Sequence, residues 1–176
     1  MNKHQHALMY SMAAAIAVIG YSLAIYLAGI TNTAWSYISY VLFTGILVYA
    51  IKDWRDKQNA GLLSYGKTMG YSTFFALYYS LVMVIWTYVF FSYIAPGFME
   101  SQMLKQEALM EAKGMPPEQI EMGMKYARKF TQPGVAAIMG LVGGMFFYTI
   151  INLIVAAIMK KDSALPSDDQ QNSSAI

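Results

Sequence analysis

MGYSTFFALYYSLVMVIWTYVFFSYIA, residues 69–95, contains no Asp, Glu, Lys or Arg. An α-helix rises about 1.5 Å per residue and a bilayer's hydrocarbon core is about 30 Å thick, so about 20 apolar residues suffice to cross it. This run exceeds that length. Three more uncharged runs accompany it: Ala7 to Ile30, Ala34 to Ile51 and Gly134 to Met159. Buried helices of a soluble protein are the competing reading, but four such runs in one short chain argue against it. The expected fold is all-α, an integral membrane four-helix bundle.

Composition points the same way. Hydrophobic residues make up 57% of the 176 and charged residues 12%, whereas a soluble domain has about 45–50% and about 25%. A net charge of +2 is too small to imply nucleic acid. The absence of cysteine excludes disulfides, thiolate nucleophiles and thiolate metal sites. Fourteen Tyr suit a membrane interface, where the ring meets acyl chains and the hydroxyl meets water.

Lys3 before an apolar stretch resembles a signal peptide, but the stretch is longer than the usual apolar core of about 7–15 residues. Trp35 then opens a second span almost at once. A helical hairpin turning at Thr31-Asn32-Thr33 is the better reading. One membrane domain is expected over 1–161, with spans at 7–30, 34–51, 69–95 and 134–159, and a disordered cytoplasmic tail over 162–176.

The connections set the orientation. Lys3, Lys52, Arg55, Lys57, Lys67, Lys160 and Lys161 fall on one side of a four-span chain. By the positive-inside rule that side, with both termini, is cytoplasmic. The opposing segment, Pro96 to Pro133, balances its Lys and Arg with Glu100, Glu107, Glu111, Glu118 and Glu121. Within it, 97–113 is built from good helix formers, and Gly114 and Pro116 stop it. Pro117 suits the first position of a second helix over 117–130, with Glu118 at its positive end. A helical hairpin lying on the membrane or folding over the bundle is expected.

Several motifs carry a sharper and a blander meaning. Gly61-Leu62-Leu63-Ser64-Tyr65-Gly66-Lys67-Thr68 fits the phosphate-cradling pattern G-x-x-x-x-G-K-[ST]. That chemistry needs a strand before the loop, and none is visible, so no nucleotide is expected. His4-x-His6 has no third ligand nearby in sequence. Met99, Met103, Met110, Met115, Met122 and Met124 could hold Cu(I), but methionine is also a helix former and gap filler. No metal, cofactor or catalytic residues are assigned. In the fourth span Ala136, Gly140 and Gly144 form a small-residue groove that admits another helix, and Asn152 continues that face with an amide needing a partner. Ser22, Ser39 and Thr87 are candidate partners. The groove serves packing within the chain or a dimer seam. Ala13, Ala17, Gly20, Ala24 and Ala28 make a similar line in the first span. No ionisable residue lies within the expected spans, which argues against proton-coupled transport.

The entry to the third span, Gly61 to Met69, its exit Tyr93-Ile94-Ala95-Pro96, and the insert ending Pro117-Glu118-Gln119-Ile120-Glu121 resemble domain of unknown function 4199. The resemblance covers nearly the whole chain. It implies a bacterial inner membrane protein with four helices, and supplies no activity or site residues.

The expected function is non-enzymatic, through contacts with the lipid bilayer, a membrane-protein partner or a second copy. A small transporter or apolar-ligand binder using the aromatic third span is the alternative. The orientation is checked by cysteine labelling in this cysteine-free chain. In intact cells Ser101→Cys should react with an impermeant maleimide and Ser64→Cys should not; the reverse pattern inverts the topology.

Overall fold

A computed structural model of the chain describes residues 2–30, 35 and 37–160. The described residues form six α-helices and no β-strand: α1 (Lys3–Leu27), α2 (Tyr37–Gln58), α3 (Tyr65–Val89), α4 (Phe98–Ala112), α5 (Pro117–Phe130) and α6 (Pro133–Met159). The expected turn at Thr31-Asn32-Thr33 and the tail 162–176 lie outside the described residues.

Local chemistry sets the helix ends. α1 starts at Lys3, ahead of the apolar run, because Asn2 and Gln5 form a capping box. The Gln5 N–H donates to Asn2 Oδ1 at 2.9 Å, and the Asn2 N–H donates to Gln5 Oε1 at 3.3 Å, satisfying two otherwise orphaned donors. α1 ends at Leu27, short of Ile30, where Gly29 turns left-handed at φ 66°. The Ile30 N–H returns to the Ile25 carbonyl at 3.2 Å and the Gly29 N–H to Tyr26 at 3.0 Å, a Schellman stop. Gly114, at φ 71°, ends α4 in the same way. α3 closes with a wider π-helical turn over Phe90–Ile94, where the Ala95 N–H bonds the Phe90 carbonyl at 2.7 Å.

α2 departs furthest from expectation. It continues through Lys52 to Gln58 instead of stopping at Ile51. Lys, Arg and Asp do not break a helix as Gly or Pro does, so the stop waits for Ala60 and Gly61, both with positive φ. Three described helices are long and apolar enough to cross a membrane: α1, α3 with its π turn, and α6. α2 is not among them, because its last two turns carry Lys52, Asp53, Arg55, Asp56 and Lys57.

α3 is the hub and packs against α1, α6 and α2. The starts of α1 and α3 meet the end of α2 through His6, Tyr71 and Asp53. α1 and α3 therefore run parallel, with α2 returning antiparallel to both. Near the middle, Phe43 of α2 contacts three aromatic rings. Its centroid lies 5.5 Å from Phe75 and 4.8 Å from Tyr79 on α3, and 4.3 Å from Tyr148 on α6. The fully buried residues Ala7, Ala14, Leu47, Ile51, Tyr71 and Ala156 belong to the same half of the bundle as the helix starts.

The small-residue groove of α6 is not closed by a neighbouring helix. A Cβ added at Gly140 would meet nothing within 4 Å, and at Gly144 only the Tyr148 ring of the same helix, 3.1 Å away. The face turns inward only at its far end, where Asn152 and Ala156 are buried. The Tyr148 ring lies back over Gly144 and packs on Phe43 and Tyr79. The small residues Ala13, Gly20, Ala24 and Ala28 of α1 are also exposed, and α1 buries Ala7, Ser11, Ala14, Ala15 and Val18 instead.

α4 and α5 pair as a hairpin. Met110 rests on Gly123, and the Thr131 hydroxyl donates to Met103 Sδ at 3.2 Å. Ile120 and Met124 are the buried residues of α5. These methionines therefore act as packing groups of the hairpin.

Phe43→Ala removes the ring on which α2, α3 and α6 converge, and should cost about 3–5 kcal/mol. Gly140→Ala, with open space above it, should change stability by no more than about 0.5 kcal/mol. Equilibrium unfolding in mixed detergent micelles measures both; a comparable loss at Gly140 would mean that a second chain sits on that face.

Candidate functional site

The two ends of the bundle differ in kind. At the end where α1 and α3 begin, five polar side chains from three helices converge. His6, 1% exposed, stands between Tyr71 and Asp53. Its Nδ1 is 2.7 Å from the Tyr71 hydroxyl and its Nε2 is 3.0 Å from Asp53 Oδ2. A carboxylate only accepts, so Nε2 carries the proton toward Asp53. The Tyr10 hydroxyl donates to the same Oδ2 at 3.1 Å, and Lys57 Nζ reaches Oδ1 at 2.7 Å, one helical turn along α2. Trp54 stacks on Tyr71 with centroids 4.8 Å apart.

These contacts tune the charges. Lys57, then the hydrogen bonds from His6 and Tyr10, hold the Asp53 carboxyl down at about 2, outweighing its partial burial. Asp53 in turn raises the Lys57 ammonium. A His–Asp pair with a tyrosine is familiar from proton-transfer sites. Its evident work is to tie α1, α2 and α3 together.

None of these residues was singled out from sequence as a cluster. His6 lay outside an expected span that began at Ala7. The capping box extends α1 backward and buries His6, so the bundle does contain an ionisable side chain. The signal available was spacing: His6 with Tyr10 and Asp53 with Lys57 are i,i+4 pairs at matching ends of two helices. His4 turns elsewhere, with its Nδ1 3.1 Å from the Tyr78 hydroxyl and its ring edge-on to Phe74. The two histidines thus face different partners. No group of three His, Asp or Glu gathers among the described residues.

The Gly61 to Thr68 stretch lies at this same end. It follows helix α2 and forms a turn and then the first turn of α3. Ser64 is the N-cap, and the buried Thr68 hydroxyl donates to the Ser64 carbonyl at 3.0 Å. Among the described residues no strand leads into it, so its backbone donors are not aimed as a phosphate cradle requires.

The opposite end holds a half-open cavity of about 660 Å³ between α1, α2, α3, α6 and α4. Tyr79, Met83, Trp86, Phe90, Phe91 and Tyr148 supply much of its wall. The π turn at the end of α3 turns Phe90 and Phe91 into it, consistent with the frequent placement of π turns at functional sites. Ser22, Ser39 and Thr87 also line it, so they do not serve Asn152. That amide is 2% exposed, and its Oδ1 has no hydrogen-bond partner among the described residues. Of the residues singled out from sequence in α6, Ala136, Gly140 and Gly144 lie apart from both sites. A volume of this size, with apolar walls and scattered hydroxyls, is typical of small-molecule pockets.

Comparison with known proteins yields one match. The model of a family described as a protein of unknown function, DUF4199, matches residues 9–161. Neither curated proteins nor solved structures give a match.

Asp53→Ala should leave the buried His6 Nε2–H unpaired and cost about 1–3 kcal/mol at neutral pH. A carboxyl lowered in the folded state stabilises it above its ordinary value of 3.8, and that stability is lost as pH falls toward about 2. Wild type in detergent should therefore lose stability between those values, while Asp53→Ala should show a flatter profile. Parallel acid profiles would remove Asp53 from the account.

Proposed function

The chain belongs to the DUF4199 family, of unknown function, and from that premise we propose that it is a non-enzymatic membrane protein that takes up an apolar chain in the aromatic cavity. The cavity of about 660 Å³ is the observation that carries this reading. In lipid, a void of that size between helices is filled by whatever apolar group fits it, and aromatic walls favour an acyl or isoprenoid chain over water. The half-open form gives such a chain a route in from the bilayer.

We further propose four crossings, with α2 as the fourth. α1 and α3 run parallel and are both long enough to span. Two parallel spans in succession require the chain to return across the bilayer between them, and α2 is the element that returns. Its apolar part, Tyr37 to Ile51, would lie in the hydrocarbon, with Lys52 to Gln58 emerging into the headgroups. Such a helix is short for the core, and Lys and Arg at its end reach outward to compensate. The proposed setting is a bacterial inner membrane with both termini cytoplasmic, so that the His6–Asp53 cluster lies near the inner surface and the cavity near the outer one.

Purification in a mild detergent followed by mass spectrometry of the co-purifying lipid tests the cavity. Ser22→Trp and Thr87→Trp fill it from two walls, and each should lower the apolar molecule retained per protein several-fold without lowering the melting temperature. Unchanged retention in both variants would sink the reading.

A further inference from the structure

The cavity described above has an uneven rim. On α4, Phe98, Ser101, Gln102 and Lys105 line it. Their spacing of three and four residues places them on one face of the helix. Among the described residues lining the cavity, Lys105 is the one that carries a charge.

α4 sorts its charges sharply. At about 100° per residue, Glu100, Glu107 and Glu111 all project from the side opposite Lys105. Glu107 and Glu111 instead line a separate groove toward α5, beside Lys125 and Arg128. The positions that could neutralise Lys105 along its own helix are Ser101, Gln102, Ala108 and Leu109, none of them acidic. The ion pairs formed among the described residues, His6–Asp53, Arg55–Asp56 and Lys57–Asp53, all lie elsewhere. A cation with flanking hydroxyl and amide groups thus overlooks an apolar, aromatic-walled chamber. One end of the occupant meets positive charge and hydrogen-bond partners, and the rest meets Trp86, Phe90 and Tyr148.

We propose that the cavity takes an anionic amphiphile, an acyl chain ending in a carboxylate or phosphate, with Lys105 pairing the head while the Gln102 amide donates a hydrogen bond. This rests on the cavity reading above and goes beyond it by assigning the head group. A neutral or cationic head would leave the Lys105 charge unmatched at the rim, whereas an anionic head gains a charge-assisted hydrogen bond there.

The test is equilibrium binding of radiolabelled stearate, stearyl phosphate, methyl stearate and stearylamine to the purified protein in a neutral detergent. A dioleoyl phosphatidic acid arm separates a bilayer lipid from a free single-chain amphiphile. Wild type should favour stearate over methyl stearate about tenfold, the worth of one hydrogen bond to a charged group. Stearyl phosphate should bind at least as well as stearate. Lys105→Gln should bring the acid-to-ester ratio close to one, and Lys105→Arg should keep it. Lys105-dependent binding of phosphatidic acid assigns the ligand to the bilayer, and its absence assigns a single-chain amphiphile; both support the anionic class. Equal affinity for acid and ester in wild type, or tighter binding of stearylamine, overturns the head-group assignment while leaving the cavity reading intact. Binding of none of the probes overturns both.

Discussion

Phe43 touches Phe75, Tyr79 and Tyr148, and the bundle is organised around that contact. In a bilayer helices gain nothing by escaping water, so they associate through close contact and polar bonds. Aromatic pairs in edge and tilted geometries contribute about 0.5–1.5 kcal/mol each beyond their buried area. One phenyl ring from α2 makes three such pairs and joins three helices. α3 supplies two of the four rings and also meets α1, which is why it is the hub.

The packing on either side of that cluster is unequal, and the inequality produces the cavity. Toward the start of α3, small residues of α1 allow a close approach, and the His6–Tyr71–Asp53 bonds hold the helix ends together. Toward its end, Trp86 of α3 and Phe90 and Phe91 of the π turn line the space between the helices. The same helices are thus drawn together at one end and open at the other. α4 crosses the open end, so the hairpin borders the chamber and contributes its polar rim. The buried, unpaired Asn152 Oδ1 and Ser80 Oγ lie outside this scheme, and we have no physical account of them.

Helical class and helix stops were legible because they depend on local chemistry. Uncharged runs longer than a bilayer is thick can be read directly, and the Gly114 and Pro116 interruption divides the hairpin through backbone conformation alone. The extension of α1 to Lys3 was also local, written in the Asn2 and Gln5 pair, but the apolar run drew the boundary inward. α2 ran on because charge marks where a helix meets water, not where it ends. The glycine face of α6 could not be given a neighbour from sequence, because small size permits a close approach without requiring one; among the described residues nothing lies within 4 Å of a Cβ added at Gly140.

The residues by themselves determined an α-helical chain with helices long and apolar enough to cross a membrane, the hairpin's break points and the concentration of rings in α3. Each follows from side-chain hydrophobicity or backbone freedom within a few neighbours. Only the tertiary structure decided that His6 meets Asp53 and Tyr71, positions 47 and 65 residues apart in the chain. It alone placed Lys105 over the aromatic chamber. Both depend on which helix faces shared by three or more elements turn toward one another, and in lipid that choice rests on shape and pairing among distant residues, which no local pattern encodes.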